Sequence, residues 1–205
     1  GEVLLIFIAS ILNLGNPLSP ILILWINLVT DSLPALALSM DPAEKDIMTR
    51  KPRDPKKGFF TRGMIWRISY QGITIGLISL VAYLVGYYDA GEALGQTMAF
   101  AVLGFAELVH VRNLHSNIHS SFRNGLFSNK SLLLGILVSA LIMFAVLLIP
   151  GLMELFGIVP MDPVHWVLTA GLSLVPILVV ELVKWAGINH SKDEYRKKCL
   201  LLQAE

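Results

Sequence analysis

The sequence has a single cysteine, Cys199, among 205 residues, and only 15% of its residues are charged. One cysteine excludes both a disulfide framework and a cysteine metal cluster. So little charge, beside 55% hydrophobic residues and a mean hydropathy of +0.66, excludes an ordinary soluble domain. The net charge of +1 says little by itself, and no nucleic-acid partner is expected. Internal repeats and low-complexity linkers are also absent. The start lacks the basic flank and cleavage site of a signal peptide.

What the sequence has instead is apolar blocks. A hydrocarbon core about 30 Å thick needs about 20 apolar residues of helix. Blocks 18–40, 64–87, 94–111, 131–149 and 164–185 are of that order and are read as five full spans. Block 2–13 covers roughly 18 Å at 1.5 Å per residue, too short to cross, and is read as a truncated first helix. The expected fold class is all-α, a polytopic membrane helical bundle drawn as one domain over 1–205.

Placement of the basic residues gives an independent check. Lys45, Arg50, Lys51, Arg53, Lys56, Lys57, Arg62 and Arg67 lie between the second and third blocks or just inside the third. Arg112, Arg123 and Lys130 lie between the fourth and fifth, while Lys184, Lys192, Arg196, Lys197 and Lys198 end the last block or follow it. The alternate connections carry Asp89, Glu92, Glu154 and Asp162 and no Lys or Arg. By the positive-inside rule, both ends of the segment are expected on the cytoplasmic side.

Within the first full span stands WINLVTDSLPALALS, residues 25–39. An unpartnered Asp at the bilayer centre costs about 2.5–3.5 kcal/mol on insertion scales, so Asp31 needs compensation. On an α-helix Asn27, Thr30 and Asp31 fall within an arc of about 100°. Pro34 has no N–H, so the carbonyl of Thr30 is expected to lose its helical partner beside that polar face. Two further acids lie at comparable depth, Glu2 in the first block and Glu107 in the fourth. Three carboxylates, an amide, a hydroxyl and a loosened carbonyl, with no nitrogen or sulfur donor, make a hard-cation ligand set of the kind calcium takes. Manganese also accepts oxygen. Against this stands the bland reading, in which Asn27 and Thr30 are helix-to-helix glue and Glu107 is a snorkelling interfacial acid.

Other features favour structure over chemistry. His115 and His119 are four apart without a third ligand in reach, as in a wet loop. Glu181 and Lys184 read as a local helix pair. Gly72 and Gly76 form a GxxxG packing face, and Ser19 before Pro20 reads as a helix start. The run RKPRDPKKGFFTR, broken by Pro52 and Pro55, is either a lipid headgroup patch or a docking surface.

GEV at the start and ILWINLVTDSLPALALSMDPAEKDIMTRKPR closely resemble the fifth and sixth membrane helices and following loop of P-type cation pumps of the calcium-ATPase type, sarcoplasmic-reticulum-like. FAELVHVRNLHS and PMDPVHWVLTAGLSLVPILVVELVKW resemble the eighth and tenth helices of that family. The resemblance implies metal ligands at Glu2, Asn27, Thr30, Asp31 and Glu107, with Asp31 shared between two calcium sites. It implies Ca2+ as the transported ion, with H+ carried back. A coupling loop over 41–62, including Asp41, Arg50, Lys51 and Arg53, would transmit the phosphorylation state. ATP and Mg2+ would act only in the intact enzyme, through partners that are other parts of the same pump: membrane helices one to four and the actuator, phosphorylation and nucleotide domains. No DKTGT-type phosphorylation sequence occurs in these 205 residues, so this piece is not expected to hydrolyse ATP alone. A passive pore or exchanger, and a structural membrane anchor, are the competing classes.

Overall fold

The computed structural model describes residues 1–40, 62–114 and 130–185. The coupling-loop residues Asp41, Arg50, Lys51 and Arg53, with His115, His119, Cys199 and the side chain of Lys184, lie outside the described residues. Eight α-helices follow in order among those described: α1 (Glu2–Ile11), α2 (Pro20–Trp25), α3 (Ser32–Ser39), α4 (Arg62–Ala90), α5 (Glu92–Leu114), α6 (Lys130–Leu148), α7 (Pro150–Phe156) and α8 (Pro163–Trp185). A π-helical turn, Ile26–Asp31, joins α2 to α3, so Pro20–Ser39 forms one span. With Met64–Ala90, Glu92–Val111, Ser131–Leu148 and Pro163–Val183, it makes five helices long and apolar enough to cross a membrane. The expected all-α bundle is therefore observed, with α1 as the short helix before it.

The first full span begins as its sequence implies. Ser19 is extended, with φ −72° and ψ 155°, and Pro20 occupies the first turn where its missing N–H is harmless. The Ser19 carbonyl accepts from the amides of Leu22 and Ile23, but its buried hydroxyl makes no hydrogen bond among the described residues. The start is thus set by backbone and proline, without the side-chain cap that serine suggests.

α4 and α5 form a long antiparallel hairpin hinged on one residue, Gly91, at φ +91°. That left-handed conformation is open to glycine without a Cβ penalty. Beyond the hinge the backbones approach at Gly86 and Gly95. A Cβ on Gly86 would meet the Gly95 amide nitrogen at 2.8 Å, and one on Gly95 would meet the Tyr83 carbonyl oxygen at 2.8 Å. Small residues allow such approach where lipid offers no hydrophobic drive between helices. The GxxxG face also packs as expected, since a Cβ on Gly76 would lie 3.0 Å from Leu4 Cδ2 and 3.1 Å from the Gly1 carbonyl.

α5 is the centre of the bundle. Its span is 72% buried against 22–39% for the other four, and residues Met98 to Leu103 are fully buried in succession. A helix apolar on all sides belongs in the middle of its neighbours. The connection 149–162 adds a short helix, α7, begun by Pro150 and closed by Gly157 at φ +66°. Its Phe156 meets Trp25 edge-on, with ring centroids 4.8 Å apart.

Gly95→Val should lower the denaturation midpoint in mixed micelles strongly, since overpacking costs about 1–3 kcal/mol even where neighbours can yield and here the obstacle is backbone. Gly151→Ala, with nothing within 4 Å of its Cβ position, should stay within about 0.5 kcal/mol of the parent in the same assay.

Candidate cation site

The polar run forms the π-helical turn itself. Ile26–Asp31 winds with the wider i→i+5 bonding, a rare conformation that recurs at functional sites. This corrects the continuous α-helix used to place Asn27, Thr30 and Asp31 on one narrow face. A wider turn rotates the chain less per residue, so side chains three apart diverge. Asn27 is exposed and reaches α1, whereas Thr30 is fully buried against α5. The break also starts upstream of Pro34, which sits buried in the first turn of α3 where no helical N–H is required.

Side chains of the run hold the loosened backbone. The Asn27 amide donates from Nδ2 to the Ile23 carbonyl at 2.9 Å, Thr30 Oγ1 donates to the Ile26 carbonyl at 2.7 Å, and Ser32 Oγ donates to the Asn27 carbonyl at 2.9 Å. A polar side chain placed four residues after a carbonyl can share that acceptor.

The five sequence candidates meet in two pairs and one singleton. Asn27 Nδ2 donates to Glu2 Oε2 at 3.0 Å, linking the turn to α1. Thr30 Oγ1 lies 3.4 Å from Glu107 Oε2, linking it to α5. Asp31 is exposed and accepts no hydrogen bond among the described residues, yet stands within electrostatic reach of both Glu2 and Glu107. Glu2 Oε1 is buried without a partner among the described residues. Among the described residues no three acidic, histidine or cysteine side chains gather closely enough to hold an ion by themselves. Any cation must therefore draw on amide, hydroxyl and backbone oxygens as well as carboxylates. Glu107 is half-buried on the central helix α5, with Thr30 facing it.

Three neighbours of the site were not singled out from sequence. Ser32 lies within the quoted run, but serine is common near helix starts. Gly104 leaves room for Thr30, whose Cγ2 would be 3.5 Å from a Cβ there, beside Met143. Ser139 of α6 donates to the Val29 carbonyl at 2.8 Å. Nothing in the apolar sequence around Ser139 or Gly104 announces which helix they face. At the opposite end of the bundle, His165 Nε2 and Asp89 Oδ2 are 3.1 Å apart, joining α8 to α4.

Residues 15–186 match the family described as Cation transporting ATPase, C-terminus. The chain belongs to that family. It is 37% identical over 206 residues to calcium-transporting ATPase 1 of Bacillus cereus, covering 92% of this chain and 23% of the relative. A calcium-transporting ATPase of Bacillus subtilis is 42% identical over 182 residues, covering 88% of this chain and 20% of its own length. One from Listeria monocytogenes is 34% identical over 185 residues, covering 90% and 21%. This chain thus spans about a fifth of the length of these relatives. As a member of the cation-transporting ATPase C-terminus family with five membrane-length helices, it is a multi-pass membrane protein.

Thr30→Val keeps the shape and removes both hydroxyl bonds. Unfolding in mixed micelles should show a loss of about 0.5–2 kcal/mol. Ser39→Ala, which removes an exposed bond to the Leu36 carbonyl, should cost less.

Proposed function

We propose that this chain is the C-terminal membrane domain of an ATP-driven P-type pump, running from the end of the fifth helix through the tenth and the cytoplasmic tail. In this reading it supplies Glu2, Asn27, Thr30, Asp31 and Glu107 to a calcium transport site. The observation that carries the reading is the convergence of oxygen ligands from α1, the π-helical turn and α5 on one break in a membrane span. Such broken backbone at membrane depth is tolerated where it lines a protein site, and transporters build ion sites on it. The names of the relatives support calcium as the ion.

The geometry supports a definite division of labour. Asn27 presents its NH2 to Glu2, and its Oδ1 is the atom a cation would take, so ion entry exchanges a donor for an acceptor by rotation of one amide. Thr30 likewise keeps its oxygen while its proton turns between Ile26 and Glu107. Asp31 brings charge from the turn itself, between the two pairs. When the cation leaves, protons neutralise the carboxylates and are carried back. In this reading the remaining helices of the pump cover Asn27 and Asp31, which are exposed here, as are the apolar Val3, Phe7 and Leu28. Its ATP-driven domains act from the cytoplasmic side through the loop that carries Asp41, Arg50, Lys51 and Arg53.

A structural-anchor reading draws on the Asn27–Glu2 and Thr30–Glu107 bonds, which do tie helices together. Asp31 separates the two readings, because it makes no such bond among the described residues. In vesicles holding the intact pump, Asp31→Asn should lower calcium-45 uptake and calcium-stimulated ATP turnover by at least about tenfold, since one ligand loses its charge. Undiminished transport at equal membrane content would leave Asp31 structural and sink the proposal.

The basic-residue pattern supports a cytoplasmic tail. An impermeant maleimide should therefore modify the Cys199 peptide in inside-out vesicles and spare it in sealed right-side-out ones, read by mass spectrometry. The reverse pattern would invert the topology.

A further inference from the structure

The bonds that hold the π-helical turn come from two sources. Asn27, Thr30 and Ser32 each satisfy a carbonyl of the same span. Ser139 reaches in from α6 and donates to the Val29 carbonyl at 2.8 Å, with Ser139 fully buried and Val29 nearly so. Val29 lies between Asn27, which faces α1, and Thr30, which faces α5. The carbonyl that Ser139 holds is thus on the piece of backbone whose winding separates the two ligand pairs.

Other buried serines behave differently. Ser79 Oγ donates to the Ile75 carbonyl at 2.9 Å, and Ser173 Oγ donates to the Thr169 carbonyl at 2.7 Å, each four residues back on its own helix. That is the ordinary way to satisfy a hydroxyl in a helix. The corresponding carbonyl for Ser139 is that of Gly135, yet its hydroxyl crosses to the neighbouring span.

Gly135, Ser139 and Met143 are spaced by four and share one face of α6. A Cβ on Gly135 would be 3.0 Å from Ala37 Cβ and 3.4 Å from the Leu33 carbonyl, so α6 lies close on α3 there. Met143, fully buried, meets Gly104 beside the Thr30 methyl. One stripe of α6 therefore braces α3 and the turn itself, with Ser139 as its polar contact.

We propose that Ser139 is a positioning residue of the cation site, fixing through the Val29 carbonyl the angular offset between Asn27 and Thr30 with Asp31. The proposal rests on the transport reading given above and adds a determinant of ion affinity on a helix that contributes none of its ligands.

The test measures, in the intact pump, the calcium concentration giving half-maximal ATP turnover and the maximal rate. The set is wild type, Ser139→Ala, Ser139→Cys, Ser139→Thr, the control Ser79→Ala, and Asp31→Asn. Ser139→Ala should raise the half-maximal calcium concentration about threefold to tenfold, the ratio one lost neutral hydrogen bond yields, with a maximal rate within about twofold of wild type. Ser139→Thr, which keeps the hydroxyl, should restore the wild-type value, and Ser79→Ala should leave it unchanged. If Ser139→Ala fails to accumulate in membranes, Ser139→Cys, close in size and a weak donor, must show the rise. An unchanged calcium response in both variants overturns the proposal, as does an equal loss of thermal stability with and without calcium at unchanged affinity. A wild-type enzyme indifferent to calcium, or an Asp31→Asn variant with an intact response, overturns the transport reading and this inference with it. Loss of the response in Asp31→Asn alone overturns only the role of Ser139.

Discussion

A backbone carbonyl or N–H in the hydrocarbon core must find its partner within the protein, and the candidate site is built around a place where that rule is under strain. At Ile26–Asp31 the regular four-residue ladder gives way to a π-helical turn. The amide of Asn27 and the hydroxyls of Thr30, Ser32 and Ser139 satisfy the carbonyls of Ile23, Ile26, Asn27 and Val29. Each of these is a short polar side chain in an otherwise apolar span, and together they explain how such a run persists at membrane depth. The same groups then serve the carboxylates, through Asn27 to Glu2 and Thr30 to Glu107.

The bundle supplies the rigidity that the turn lacks. α5 runs through the middle and carries Glu107 on its buried length, with Gly104 three residues earlier making room for Thr30. Its hairpin with α4 is locked by backbone contact at Gly86 and Gly95. At the far end, Tyr83 donates to the Leu14 carbonyl at 2.6 Å and Gln96 to the Asn16 carbonyl at 2.8 Å, tying the link between α1 and α2 to the hairpin. The two helices that flank this link, α1 and the span 20–39, are the ones that meet at the Glu2–Asn27 bond. A site built between helices depends on such remote ties, because a displacement at one end of a stiff helix is carried to the other.

Much of the architecture was legible because the bilayer imposes a length and an apolar composition on each span. The five predicted spans differ from the observed ones by a few residues at their ends, and the GxxxG contact and the Ser19–Pro20 start fall where expected. Asn27 and Thr30 do bridge helices, and the groups they bridge to are the carboxylates of Glu2 and Glu107, so the proposed ligand role draws on the same side chains as the glue reading. Less legible was the turn itself. Pro34 pointed to a break, but a proline reports only that an N–H is missing, and the conformation that absorbs the loss lies upstream. The support from Ser139, Gly104 and Gly135 was silent in sequence, because a serine or glycine within a uniformly apolar helix carries no periodic signal of the face it turns inward.

By itself the sequence determined the membrane class, the number and approximate ends of the spans, the scarcity of soft donors and the presence of acids that require a partner. Those follow from composition and spacing, which act locally. Tertiary structure alone decided that α5 is central, that the polar run winds as a π-helical turn, and that Asn27 turns to α1 while Thr30 turns to α5. The physical reason is that lipid and helix interiors are almost equally apolar, so hydropathy cannot choose which side of a helix is buried. That choice is made by close packing at glycines and by hydrogen bonds between helices, and neither exists until the helices meet.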